Sequence, residues 1–399
     1  MHGKPSPSFT TAAYTVAPRD ALLIVFVVIG LVVIRDIHFV SDWHMTHWAF
    51  TYEHGFIKRG LIGETISRLF GPVTSTIINS VSWGIMLSLS AALIYLFLRP
   101  AWESKRIGVL LFAVVALTHS ATIPHLVHDI GRFDHINLLI LLGCMFILSR
   151  PSQLLRLTVI PLLCLIGLLI HEVFFLMFLP LIFAVWFYEE RREWIWPKLL
   201  MLVALIASTW AIGTYGLITD FPIERYMAQL RERHTFSIPK DSVDVLYRGF
   251  AGNIMFNIEE FYKYLRPNVT HHIVFALTLI PTISFFGKLI HRLCLEAPTC
   301  ERLWRVLLVT AALGPLALYV LATDYFRWWS IAITNLFIVF AYLVVRENDT
   351  SRLADAVESS QMVVACILGI SLVFGPIGVM INSYPLINLW FLPSWHFSW

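Results

Sequence analysis

LTVIPLLCLIGLLIHEVFFLMFLPLIFAVWFY, residues 157–188, is the stretch on which the fold turns. Apart from His171-Glu172 it carries no ionisable side chain other than a cysteine and a tyrosine. A helix needs about 20 apolar residues to cross hydrocarbon, so this run is too long for one untilted crossing and short for two. An ionisable pair inside an apolar run is costly without a partner or a use. We read the run as a tight hairpin with His171-Glu172 at its tip. One long tilted helix is the alternative, and it would invert everything downstream.

The composition agrees with a membrane setting. Hydrophobic residues make up 58% of the 399 and charged residues 14%, roughly half the charge of a soluble domain. The chain reads as an all-α, polytopic helical bundle. Its expected crossings are 21–34, 73–98, 107–123, 136–148, the two arms of 157–188, 199–218, 272–286, 307–322, 331–344 and 361–381. That makes about 11 transmembrane helices in a single domain over 1–399. Two outer segments interrupt it, an amphipathic loop at 36–71 with in-plane helices and a larger loop at 219–270. The Trp- and Phe-rich end, 383–399, reads as an interfacial tail. No cleavable leader is expected, because Arg35 and Asp36 follow the first apolar run.

Orientation follows from the bias of Lys and Arg toward the cytoplasmic side. With the N-terminus inside, Arg99, Lys105, Arg106, Arg150, Arg156, Lys198, Lys288, Arg305 and Arg346 fall in inner connections. The alternation holds at every turn only if the His171-Glu172 hairpin exists. The unusual polar clusters then share the outer face. The five cysteines stand in spans or inside, so no disulfide is expected. The formal charge of +3 says nothing about nucleic acid, because the basic residues are spread through the loops, and no nucleic-acid partner is expected.

The densest outer cluster is IRDIHFVSDWHMTHWAFTYEHGFIKRGLIGETISRLFG, residues 34–71. Asp36 and Asp42 stand where a carboxylate at a membrane edge can draw a proton from an acceptor hydroxyl; the structural alternative for each is a helix end or cap. The apolar spacing Met45, Trp48, Ala49, Tyr52, Phe56 predicts an interfacial amphipathic helix. Lys58 and Arg59, flanked by Gly55, Gly60 and Gly63, violate the inside bias; adjacent cations with open backbone suit a phosphate or pyrophosphate, or anionic headgroups in general.

In HLVHDIGRFDH, residues 125–135, Arg132 is a candidate for phosphate or sugar and Asp134 for acid–base work. A salt-bridged loop is the alternative there. His128, Asp129, Asp134 and His135 form a weak metal pattern. His171 and Glu172 read as cavity-facing, with helix pairing as the alternative. Arg327, between Asp324 and Trp328-Trp329, suits either an aromatic belt with a local ion pair or substrate contact.

Asp42 followed by WHMTHWAFTYEHG, together with Arg132-Phe133-Asp134, resembles the GT-C superfamily of membrane glycosyltransferases, although the Asp-Glu pair usual in those enzymes is missing. Lys58, Arg59, Arg132, Arg248 and Arg327 also fit the cations of outer-face polysaccharide polymerases of the Wzy and EpsG kind. Both resemblances imply glycosyl transfer from a polyprenyl-(pyro)phosphate-linked sugar to a glycan or lipid-linked acceptor, at the outer face of a bacterial inner membrane, in surface polysaccharide assembly. Asp42 would be the base, with Asp36, Asp134 and Glu172 as reserves. Lys58, Arg59, Arg132, His171 and Arg327 would bind the donor. No cofactor is required, and a divalent metal is the one addition the chemistry admits. A transporter or flippase of a lipid-linked glycan is the alternative of another class.

Overall fold

The computed structural model describes residues 37–190, 193–265 and 269–376, and isolated positions between 20 and 30. The expected first crossing, Asp36 and the C-terminal tail therefore lie outside the described residues or nearly so. The described residues are helical, with no strand among them. The helices are α1 (Asp42–Trp48), α2 (Gly60–Phe70), α3 (Ser75–Ser104), α4 (Ile107–Thr118), α5 (Ile123–His128), α6 (Asp134–Leu148), α7 (Gln153–Ile170), α8 (Phe174–Met177), α9 (Leu179–Glu189) and α10 (Ile195–Tyr215). They continue as α11 (Ile223–Arg233), α12 (Lys240–Asp244), α13 (Phe250–Leu265), α14 (Val269–Leu289), α15 (Thr299–Ala312), α16 (Tyr325–Glu347), α17 (Thr350–Glu358) and α18 (Gln361–Phe374).

Six helices are long and apolar enough to cross a membrane, or eight if each bent pair counts as one crossing. The bent pairs are α15 with the turn Gly314–Val320, at 44°, and α17 with α18, at 79°. Helices α6 and α9 are apolar but shorter. The count of about eleven is therefore not reached by length and composition. A crossing broken by a bend, or shortened by a polar cap, reads in sequence like an intact one.

Local chemistry sets the ends. Thr74 caps α3, its hydroxyl accepting from Ile77 N, and Ser152 caps α7 in the same way. Lys105 closes α3 in the left-handed region, at φ 54°. Two units are buried almost throughout, residues 107–128 and α16, each with 89% of its apolar window buried; in α3, α7, α10 and the span 272–295 that share is 39% or less. A helix apolar on all sides is at home either in a core or in lipid. Here two such elements form the centre and the others ring it.

The chain reverses at His171-Glu172. Helix α7 ends at Ile170, and Glu190, just past α9, returns to Arg156 at the start of α7. The hairpin is thus the arrangement found. Glu190 also accepts from Trp186 Nε1 at 2.9 Å and lies 3.3 Å from the fully buried Lys198. At the same end Arg346 meets Glu189, Arg305 meets Glu301 and Glu347, and Arg106 meets Asp355. Arg106, Arg156, Lys198, Arg305 and Arg346, among the bases assigned to inner connections, thus gather at one end of the bundle, each beside a carboxylate.

Candidate functional site

The other end carries a second, more deeply buried ionic network. Its parts come from five separate stretches of sequence.

The first is α1. Ser41 is its N-cap, accepting from His44 N at 3.4 Å and meeting His44 Nδ1 at 3.1 Å. Asp42 is consequently the first helical residue, not the cap, and its carboxylate is exposed. Among the described residues no cation pairs with it. His44 through Trp48 are all buried, so α1 is packed into the molecule and does not lie on an interface with one wet face. Trp48 fixes this by donating to the Gly131 carbonyl at 2.7 Å.

The second stretch is the glycine-flanked pair. Arg59 sits in the left-handed region at φ 64°, a conformation uncommon for a residue with a Cβ, and caps α2. Its guanidinium grips Glu172 through two bonds of 2.6 and 3.0 Å. Lys58 is 2% exposed and donates to the Arg248 carbonyl at 2.7 Å. Among the described residues it meets no carboxylate. Burial, then Arg59 and Arg248 against the opposing pull of Glu172, lowers its pKa to about 8. Gly55 has nothing within 4 Å of a Cβ position, but Gly60 and Gly63 do not leave open backbone for a phosphate. A Cβ on Gly63 would stand 2.1 Å from the Phe50 carbonyl oxygen, and one on Gly60 2.7 Å from the Tyr52 ring. What approaches closely is the chain itself.

The remaining stretches close the network. Arg132 lies 2.5 Å from Asp129 and 3.3 Å from Asp324, with its guanidinium over the Trp43 ring. Asp134 receives two bonds from Arg327, at 2.6 and 2.7 Å, and Arg327 also reaches Asp324 at 2.9 Å. In Arg132-Phe133-Asp134 the two charges therefore serve different partners, and Phe133 between them packs on Trp48. His171 Nδ1 lies 3.3 Å from Glu172. Burial, then Arg59, lowers His171 to about 4; burial, then Arg132, lowers His44 to about 3. Burial raises Glu172 and Asp129, but Arg59 and Arg132 respectively outweigh it, and both carboxyls stay ionised well below the usual range.

The segment after Gly216 covers this network as a set of helices. Trp43 Nε1 donates to Asp241 at 3.0 Å, His54 meets Gln229 at 3.0 Å, Arg233 grips Glu53, and Lys58 N donates to the Gly216 carbonyl at 2.9 Å. The expected outer loop 219–270 thus contains α11, α12 and α13, and it seats on the 38–71 segment.

Of the candidates, Lys58, Arg59, Arg132, Asp134, His171, Glu172 and Arg327 come together, and Asp42 stands at the exposed edge. Asp134 and Glu172 are committed to arginines, which makes each a poor proton acceptor. Arg59, Arg132 and Arg327 are in turn committed to carboxylates. Sequence reasoning gave no role to Asp241, and it set Asp129 and Asp324 beside arginines without tying them to residues far away. The i, i+3 spacing of Asp129 to Arg132 and of Asp324 to Arg327 was the available signal. Among the described residues no three His, Cys, Asp or Glu side chains cluster to hold a metal ion. A concavity of about 370 Å³ lies outside the network, between α13 and residues 319–320, lined by Ile254, Asn257, Phe261, Tyr262 and Tyr319. Tyr325, beside Asp324, bonds Asn257 at 3.1 Å and joins the two regions.

No family model matches this chain, and no curated protein and no solved structure matches it.

Proposed function

We propose that the chain is a membrane glycosyltransferase that takes its sugar from a polyprenyl-(pyro)phosphate carrier. Its working end is the one bearing the Arg59–Glu172 and Arg327–Asp134 pairs, facing the outside of a bacterial inner membrane. The full topology in this reading has about eleven crossings, counting the first apolar run and the two short helices. The observation that carries the reading is a contrast within the network. Every other described candidate carboxylate is locked to arginine, whereas Asp42 is exposed and forms no ion pair among the described residues; among the candidate cations, Lys58 alone forms none.

In this mechanism Asp42 takes the proton of an acceptor hydroxyl as its oxygen attacks the anomeric carbon. The bond from that carbon to the donor phosphate oxygen breaks, and the lipid phosphate leaves with both electrons. Lys58, with the edge of the arginine network, offsets the negative charge that grows on it. A polysaccharide polymerase would use the same steps with a longer acceptor. Transport or flipping of a lipid-linked glycan is favoured by one separate observation: Asn137, Ser330, Thr334 and Asn335 continue inward from the network as fully buried polar side chains.

The test is transfer of sugar from polyprenyl phosphate donors by the purified protein, compared with Asp42→Asn and Lys58→Ala at matched folding. Loss of transfer by Asp42→Asn with donor binding retained supports the base. Full transfer by Asp42→Asn removes it. Absence of transfer by the wild type, with movement of lipid-linked glycan across vesicles, replaces the reading by the transport one.

A further inference from the structure

Three ties bring α5, α6 and α16 together directly beneath the ionic network. The His135 ring meets the Leu126 carbonyl at 2.7 Å, Arg327 holds Asp134, and the Thr334 hydroxyl donates to the Ala121 carbonyl at 2.9 Å. Within a turn of these ties stand polar atoms that no protein atom partners. They are both amide atoms of Asn137, Ser330 Oγ and His125 Nδ1. Asn137 and Ser330 are 0% exposed and His125 1%. Asn137 and Ser330 stand one helical turn below Asp134 and Arg327, on the faces that this pair joins. Ser120 Oγ, unpartnered as well, continues the series further in.

A buried polar group left without a partner costs about 1–3 kcal/mol, so one such atom is tolerable and a group of them is not. Their chemistry narrows what answers them. The Asn137 amide is donor and acceptor, the hydroxyl is either, and the imidazole nitrogen is either according to tautomer. All are neutral. An anion would want donors alone and a cation acceptors alone. Water, which needs two to four polar partners of both kinds, fits the mixture.

Further in, the packing is apolar. The His119 ring, bonded to Thr282 at 2.9 Å, lies 5.5 Å from Phe337, which packs on Phe97, Phe112, Phe285 and Phe286. We propose that the bundle holds an internal cluster of ordered water, roofed by the Arg327–Asp134 pair and floored by the aromatic group around Phe337, with Asn137, Ser330 and His125 as its ligands. The cluster is independent of whether the polar end transfers sugars.

Radiolytic hydroxyl-radical labelling of the intact wild-type chain, read residue by residue by mass spectrometry, tests it directly, because a buried residue is oxidised only where water touches it. His125 should label several-fold faster than His119, which is similarly buried but has its ring bonded to Thr282 and packed on Phe337. Equal rates for the two overturn the proposal. Asn137→Leu supplies a second readout. If the site were dry, removing an unpartnered amide would raise the melting temperature; if it is hydrated, the substitution strands its water and lowers it. A raised melting temperature overturns the proposal, and should the variant not fold, the wild-type labelling decides alone.

Discussion

Arg59 and Glu172 are two residues whose removal should be felt well beyond their own volume. Each side chain is about one-tenth exposed, and they share two short bonds. Breaking a buried pair leaves a charge without compensation, so Arg59→Ala and Glu172→Ala should each cost about 3–5 kcal/mol, while a double change to well-packed apolar residues should cost much less. Thermal unfolding of the single and double variants in one detergent checks this. The buried histidines make a second prediction, in pH. His44 and His171 titrate near 3 and 4 when folded and near 6.5 when unfolded. Above 6.5 neither state is protonated and their effect is constant. As the pH falls from 6.5 toward 4 the unfolded chain binds protons that the folded chain refuses, and each histidine lowers stability by up to about 1.4 kcal/mol per pH unit. Melting temperatures should fall over that window, with a shallower slope in His171→Asn. At this scale the sequence was a partial guide. It marked the ionisable groups, since charges beside apolar runs stand out, but not which charge answers which. Arg327 and Asp134 are 193 positions apart, and no local spacing joins them.

Among the elements, α2 shows how a correct motif can carry an incorrect meaning. Gly60 and Gly63 were expected to leave backbone open for a phosphate. They instead let α2 seat on the turn that follows α1, where the space a Cβ would fill holds the Phe50 and Trp48 carbonyl oxygens. Occupancy of that kind is invisible in a linear pattern. Gly63→Ala should therefore destabilise by about 1–3 kcal/mol or more, since backbone cannot step aside as a flexible side chain can. Gly84, inside α3 with nothing within 4 Å, is the control: Gly84→Ala should be neutral or stabilising by about 0.5–1 kcal/mol. Denaturation of the two variants side by side separates steric cost from helix propensity. The hairpin of α7 and α9 was legible for the opposite reason. An ionisable pair in the middle of 32 otherwise apolar residues leaves few arrangements open, and a sharp reversal at a polar surface is one of them.

For the whole molecule, two ionic ends separated by an apolar middle imply a fixed sense of insertion. The end holding Arg106, Arg156, Lys198, Arg305 and Arg346 should face the cytoplasm. Reporter fusions after Arg150 should then give a cytoplasmic signal, and tags inserted near Phe236 an external one; the reverse pattern would turn the working end inward and require another donor. The pairing of Asp134 with Arg327 has a further consequence, during synthesis. At about 5–20 residues per second, the 193 intervening positions take roughly 10–40 s to emerge. Throughout that interval the nascent helix presents a carboxylate with no guanidinium to answer it. A chain that stops short of Arg327 keeps that carboxylate without its partner, so this tie between distant parts of the chain closes only when synthesis has passed Arg327.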